Sequence, residues 1–439
     1  MKKNNEIMLK DCIKLIIDHR GKTPSKLGGD WAKTGIRVIS ALNIHNGTID
    51  NESQIRCVDK ELYKKWMPDD IERNDCFIAS EGASLGENCI WDSDEKIVLG
   101  QRLYAIRADE NVLDAWYFAA YMQTSTFRQQ IEQISTGSTV FGISQPTLLN
   151  VKLKLPDIVI QQYVGALYKS IKRKIENNNK INVELDSMSK TIYDYWFLQF
   201  EFPNEDGKPY KSSGGKMVWN EELRREIPEG WKSGRLNQFI KQDKGGDWGK
   251  EFPEGNYIKK VTCLRGADFP SICGNAKLEA PERFINEKNA FKILKKGDLI
   301  IEISGGSPTQ STGRICYINT NVLRRFRNEL ITSNFCKAIN LIDEDFMYWF
   351  YNLWCKLYDS GVFFKYEWKT TGIKNLLFEM LCRDYPIIIP DADVIKKYNN
   401  KIEKLFEVIQ RNLLENEELS SLRDFLLPLL MNGQVGFKE

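Results

Sequence analysis

Apolar and polar positions follow one another along the chain in two long cycles, each made of short strand-like runs followed by one long helical run. In the first cycle, strand patterns lie at 35–44 (GIRVISALNI), 75–80 (DCFIAS) and 102–108 (RLYAIRA). In the second they lie at 257–264 (YIKKVTCL), 297–304 (GDLIIEIS) and 314–319 (RICYIN). Short β-branched and aromatic runs bounded by Gly, Asp and Asn read as strands, and 3.6-residue periodicity predicts helices at 114–133 and 344–360. The aromatic stripes of those helices suit core packing. Each cycle then closes alike. Residues 151–198 and 385–432 both open on an apolar strand ending in Pro-Asp (Pro156-Asp157 and Pro390-Asp391) and continue as a long helical pattern. Asp157 and Asp391 are 234 residues apart, a period far too long for a solenoid, so the chain reads as two homologous halves.

Steps of three and four lay Val164, Leu167, Ile171, Ile175, Asn178, Ile181, Leu185, Met188, Ile192 and Tyr195 on one face of the first helix. The same offset gives Tyr398, Lys401, Leu405, Ile409, Asn412, Glu415, Leu419, Leu422, Leu426 and Leu429 in the second. These are coiled-coil seams. An antiparallel pairing would bring Asn178 and Asn412, each near mid-helix, to a shared centre, where a buried Asn fixes register. The predicted fold class is therefore α+β, with two homologous mixed α/β domains, each followed by a long helix, and the helices paired as an antiparallel coiled coil. The expected boundaries are a first globular domain at 1–155, a long helix at 156–200, a linker at 201–230 rich in Gly, Ser, Pro and charge, a second domain at 231–389, a second helix at 390–432 and a tail at 433–439.

Composition narrows the function. A formal charge of +2 over 439 residues confines any nucleic-acid surface to local clusters. Ten cysteines without CxxC spacing and only two histidines argue for reduced core thiols rather than a zinc cluster, and so for a cytoplasmic protein. No apolar stretch reaches the length of a membrane span. The stretch IIDHRGKTP (16–24) imitates a phosphate-binding loop, but the position that needs the first glycine is Ile16, and Pro24 turns Thr23 away from helix. No Pro-Pro is present for an amino-methyltransferase loop. PDADVIKK (390–397) is better read as a helix start capped by Asp391 and Asp393 than as a nuclease cluster. These negatives favour a binding protein, with a pure scaffold as the rival reading.

Three further stretches carry a resemblance. They are STGSTVFGISQPTLLNVKLKLPDIVIQQ (135–162), LDSMSKTIYDYWFLQFEFP (185–203) with GKPYKSSGGKM (207–217), and SLRDFLLPLLMNGQV (421–435). Together with the duplicated layout they resemble, over essentially the whole length, the DNA-specificity subunit of type I restriction-modification systems. The resemblance implies two target recognition domains that read the halves of a split asymmetric sequence in double-stranded DNA, with paired helices that set the spacer. It also implies docking of two methyltransferase (modification) subunits, with restriction subunits added. S-adenosylmethionine, ATP and Mg would belong to those partners, leaving this chain without cofactor or catalytic residue. One departure is visible: the second half has only WKTTGIKNL (368–376) where the first has STGSTVFGI.

Candidate contacts follow from residue type. Arg20, Lys22 and Thr23 in the first half, and Lys244 and Lys250 in the second, occupy glycine turns where cations meet phosphates. Base reading calls for loops mixing Arg, Gln, Asn, Ser and Thr. These are Ser80, Ser84, Gln101, Arg102, Ser138 and Thr139 in the first half, and Ser307, Thr309, Gln310, Arg314, Asn334, Lys369 and Thr370 in the second.

Overall fold

A computed structural model describes residues 5–50, 54–137, 140–274, 278–305, 307, 309–370 and 373–435. The chain divides into two units, one formed by 1–175 with 418–439 and the other by 176–417.

In the first unit the strands are β1 (Asn5–Met8), β2 (Ile13–Asp18), β3 (Ile36–Ile39), β4 (Ile44–His45), β5 (Thr48–Ile49), β6 (Arg56–Val58), β7 (Cys76–Ala79), β8 (Asn88–Ile90), β9 (Val98–Leu99), β10 (Leu103–Ala108) and β11 (Lys152–Leu155). The central sheet has the order β2-β10-β7-β8, antiparallel throughout. A second sheet, β6-β3-β9, pairs β3 parallel with β9. The central strands are apolar on both faces because both faces are covered. Cys76, Ile78, Tyr104 and Ile106 enter one core with the helix Ala115–Met122, while Phe77, Ala79, Leu103 and Ala105 enter another with Trp66. Successive side chains of a strand point to opposite faces, so one run serves both cores.

The second unit contains β12 (Met217–Asn220), β13 (Arg225–Pro228), β14 (Lys232–Arg235), β15 (Ile240–Gly245), β16 (Tyr257–Leu264), β17 (Glu282–Asn286), β18 (Leu299–Glu302), β19 (Ser304–Gly305), β20 (Ile315–Tyr317), β21 (Leu330–Thr332), β22 (Cys336–Leu341), β23 (Glu367–Thr370), β24 (Ile373–Leu376) and β25 (Pro386–Ile389). Its sheets repeat those of the first unit. The order β15-β22-β18-β20 matches β2-β10-β7-β8, and β17-β16-β21 matches β6-β3-β9, again with one parallel pair. The pair β14-β25 likewise matches β1-β11. The duplication read from the helices is thus a duplication of strand order.

The stretch 201–230, expected as a linker, is folded. It carries the hairpin β12–β13, and Phe202 stacks on Trp231 at 4.8 Å and on Tyr210 at 4.6 Å. Its aromatics are few, but they have a core to enter, and Phe202 and Ile227 are buried there.

The long helices span Ile158–Tyr193 (36 residues) and Ala392–Met431 (40 residues). The Asp391 carboxylate accepts from the Asp393 amide at 2.8 Å, as expected of a cap. Within the second unit the helices run antiparallel: Asn178 donates to Asn416 at 2.9 Å and Asn412 to Asn182 at 2.9 Å. In the first unit Val164 and Tyr168 share a core with Leu427, Leu430 and Met431. The seam differs from the expected one. Ile181, Met188 and Tyr195 are exposed, whereas Asn182, Ser189 and Trp196 are buried. In the second helix Lys401 and Leu422 are exposed, while Ile402, Phe406 and Leu413 are buried. A straight helix drifts against a 3.5-residue repeat, so an extra step of four enters at Asn182. The second helix also turns its buried face to its own domain, where Phe406 packs on Tyr317 and Tyr348. Among the described residues no cysteine pair forms a disulfide, and most of the ten cysteines are buried.

Candidate nucleic-acid interface

In the first unit β2 and β7 finish, and β10 and β8 begin, at the same end of the central sheet. The loops chosen from the sequence gather there. Arg20 binds Asp18 through two nitrogens, at 2.9 and 2.8 Å, and lies 4.3 Å from the Tyr104 ring centroid. Burial would raise the Asp18 carboxyl, but the Arg20 guanidinium and amide hold it below the ordinary range. The Ser80 amide donates to the Arg102 carbonyl, and its own carbonyl accepts from Ile143, both at 2.8 Å. Ser80 is fully buried, which withdraws its hydroxyl from direct contact with a base. Gln101 is exposed, and Arg102 sits beside it in the left-handed region (φ 63°) with its guanidinium 3.1 Å from Glu81. Ser84 ends the single turn Gly82–Ser84. Thr136 and Gly142 exchange two backbone bonds of 2.9 Å, and Gly82 donates to the Phe141 carbonyl at 3.0 Å, so Thr136, Phe141 and Gly142 are tied to this end. Ser138 and Thr139 lie outside the described residues.

The Gly-Lys-Thr stretch belongs to the same region. Lys22 donates to the Trp66 carbonyl at 2.8 Å, and the Thr23 hydroxyl accepts from the Lys26 amide at 3.3 Å. Only the short turn Ser25–Leu27 follows, so no α-helix N-terminus stands over the loop, as a nucleotide site of that type requires.

The corresponding end of the second sheet carries the loops after β15 and β18 and before β22 and β20. Here two expectations change. Lys244 is buried and bound to Asp298 at 3.2 Å; Asn340 and the Lys295 amide also bond that carboxylate. It cannot reach a phosphate in this arrangement. Arg314 is committed to Glu302, with nitrogen–oxygen distances of 2.9 and 2.7 Å, and Glu302 is 4% exposed. Sequence shows the cation but not the acid that folding brings to it.

Gln310, Asn334 and Lys250 stay exposed. Ser307 and Gln310 close a tight turn through reciprocal backbone bonds of 3.0 and 3.2 Å, and the Thr309 and Ser307 hydroxyls are 3.3 Å apart. Lys250 pairs loosely with Glu254 at 3.5 Å, both well exposed, a contact worth little in water. Lys369 and Thr370 end β23, opposite Lys374 and Ile373 of β24. This hairpin is the second unit's form of the STGSTVFGI loop. It is clamped to 310–312 by Glu367, which accepts from Ser311 (2.9 Å) and the Thr312 amide (2.7 Å) and faces Lys374 at 3.1 Å.

One repeated feature escaped the periodicity reading. Gly-Gly-Asp-Trp occurs at 28–31 and again at 245–248. Its spacing differs from that of the helices because the loops around it differ in length, and only a search for short identical words would find it.

Residues 1–187 match the family described as the type I restriction modification DNA specificity domain. The type I restriction enzyme MjaIX specificity subunit of Methanocaldococcus jannaschii is 26% identical over 339 residues, covering 74% of this chain and 69% of the relative. The type I restriction enzyme HindI specificity subunit of Haemophilus influenzae is 21% identical over 405 residues, covering 83% and 87%. The crystal structure of the type I restriction-modification S subunit from M. genitalium, 13% identical, aligns over 97% of this chain and 95% of its own with a TM-score of 0.59, and so shares the fold. In sequence over most of its length, and in fold, the chain is similar to the specificity subunits of type I restriction-modification systems, and its first 187 residues match the model of their DNA specificity domain.

Proposed function

We propose that the chain is a non-catalytic DNA sequence-recognition subunit. Its domain at 1–155 reads one half of a split, asymmetric target and its domain at 231–389 reads the other. The observation that carries this reading is the repeated sheet end: two sheets of identical strand order, each offering a cluster of polar loops at the same edge. Two different loop sets on one scaffold suit two different half-sites. Two methyltransferase subunits and restriction subunits supply S-adenosylmethionine, ATP and Mg chemistry, and the complex works in the cytoplasm. The test is to co-express the chain with modification subunits and map methylated bases in the host genome. A bipartite motif that vanishes when this chain is deleted is the expected result. A complex that assembles yet binds random and target DNA alike would leave only a scaffold.

A further inference from the structure

The Gly-Gly-Asp-Trp words end in the same side-chain arrangement. Trp31 lies beneath Arg56, whose guanidinium carbon is 3.9 Å from the ring centroid. Trp248 lies beneath Arg283 at 4.1 Å. Arg56 opens β6 and Arg283 stands in β17, the equivalent outer strands of the two three-stranded sheets. The backbone beside each stack repeats too: Ala32 bridges Cys57, and Lys250 bridges Phe284, the residues that follow the two arginines. Halves whose loops have otherwise diverged thus retain one device.

Both stacks join the loops of the candidate interface. Trp31 packs on Trp66 at 6.4 Å, and the Trp66 carbonyl receives the Lys22 ammonium. The Asp247 amide donates to Thr332 at 2.8 Å, and Gly246 lies against the Ser333 carbonyl so closely that no Cβ would fit there, just ahead of Asn334. Neither arginine is strongly neutralised. Among the described residues no carboxylate pairs with Arg56; Arg283, whose side chain is 17% exposed, has Glu251 at 4.0 Å, itself 72% exposed, and its buried Nε lacks an acceptor.

A guanidinium stacked on an indole keeps its plane and loses rotamer freedom in advance, while its N–H edge stays free for two oxygens. Phosphate is the anion that such a planar fork fits on a duplex. We propose that Trp31–Arg56 and Trp248–Arg283 form a duplicated phosphate clamp, one in each unit, which seats the DNA backbone so that the neighbouring loops meet the base edges. The clamp rests on the DNA-recognition reading above.

The experiment uses the full chain co-purified with its modification partners, a duplex carrying the methylated host sequence and a scrambled duplex, titrated between roughly 50 and 200 mM salt. Arg56→Gln and Arg283→Gln should each weaken both duplexes alike, by about three- to tenfold, and each should lower the salt slope by about one. Arg56→Lys and Arg283→Lys should restore the slope but only part of the affinity, because the charge returns without the fork. Melting temperatures are recorded for all four. Gln variants that keep the wild-type slope, whether or not they melt earlier, would make the stacks structural pins and overturn the clamp. A wild type that binds both duplexes equally, with slopes that fall in the Gln variants, would retain the clamp and sink sequence recognition instead. A wild type that binds neither removes both.

Discussion

Asn182 accepts a hydrogen bond from Asn412 at 2.9 Å across the helix pair, and the repeat maps this bond onto that from Asn178 to Asn416, also 2.9 Å. Asn178 and Asn412 were expected to meet each other. Each instead meets the second asparagine of the opposite helix, one turn on, and the centre of the pair adds bonds from Asn178 to Glu415 at 2.8 Å and from Asn416 to Asn179 at 2.7 Å.

The bond should behave as a buried polar pair. Asn182 is 5% exposed and its Nδ2 already lacks a partner. Asn412→Ala would strand the Asn182 oxygen as well, and should cost about 1–3 kcal/mol in urea unfolding. Replacing both Asn182 and Asn412 by Leu should recover that loss, since neither polar group is then left unpaired. A double variant less stable than the single one would contradict this account.

Lys244 gives a second expectation. Its partner Asp298 is fully buried, so Lys244→Ala leaves a carboxylate without its ammonium. A loss of about 3 kcal/mol or more in stability is expected, of the size seen when one member of a buried pair is removed. Where the variant remains folded, its DNA affinity and salt slope should match those of the parent. A lowered slope in a folded variant would return Lys244 to the surface.

Gln310 and Arg314 separate by the same logic. Gln310→Ala removes an exposed side chain and should keep the melting temperature while weakening the proper target by about 1–3 kcal/mol and relaxing one half-site. Arg314→Ala should lower stability by about 2–3 kcal/mol, because Glu302 stays behind without its partner. Binding selections on randomised half-sites, read beside thermal melts, distinguish the two. Unchanged half-site preference in the Gln310 variant would remove that loop from base reading.

Acid should release the β23–β24 hairpin. Burial alone would raise the Glu367 carboxyl, but the Thr312 amide, Lys374 and Ser311 together hold it below its usual range. A carboxyl depressed in the folded state adds stability that is complete above its unfolded pKa, about 4.3, and is lost as pH falls through the folded value. The stability gap between the parent and Glu367→Gln should therefore be widest near neutrality and close below about pH 4. A gap that widened on acidification would reverse the assignment.

How far the sequence carried the reading is clear from particular residues. The Pro156-Asp157 and Pro390-Asp391 helix starts are local signals, and the two halves followed from them. The seam failed from Ile181 onward because one residue of drift turns a side chain by about 100°. Lys244 and Arg314 were legible as cations in loops, but Lys244 takes its acid from a strand start 54 residues away. No local window holds both partners. Trp31 and Trp248 were legible as a repeated word, yet the arginines above them come from other strands.

The first unit takes its core from both ends of the chain. Val164 and Tyr168 share a cluster with Leu427, Leu430 and Met431, whereas residues 176–417 form the second unit without interruption. On a ribosome this imposes an order of assembly. Roughly 260 residues separate Tyr168 from Leu427, and at about 5–20 residues per second their synthesis takes about 10–50 s. Most of the later-made unit is synthesised in that interval, its own core closing only with Leu413, while the earlier-made one still waits for its last wall. A nascent chain stalled short of Leu427 should accordingly expose apolar surface near Tyr168 and attract chaperones there.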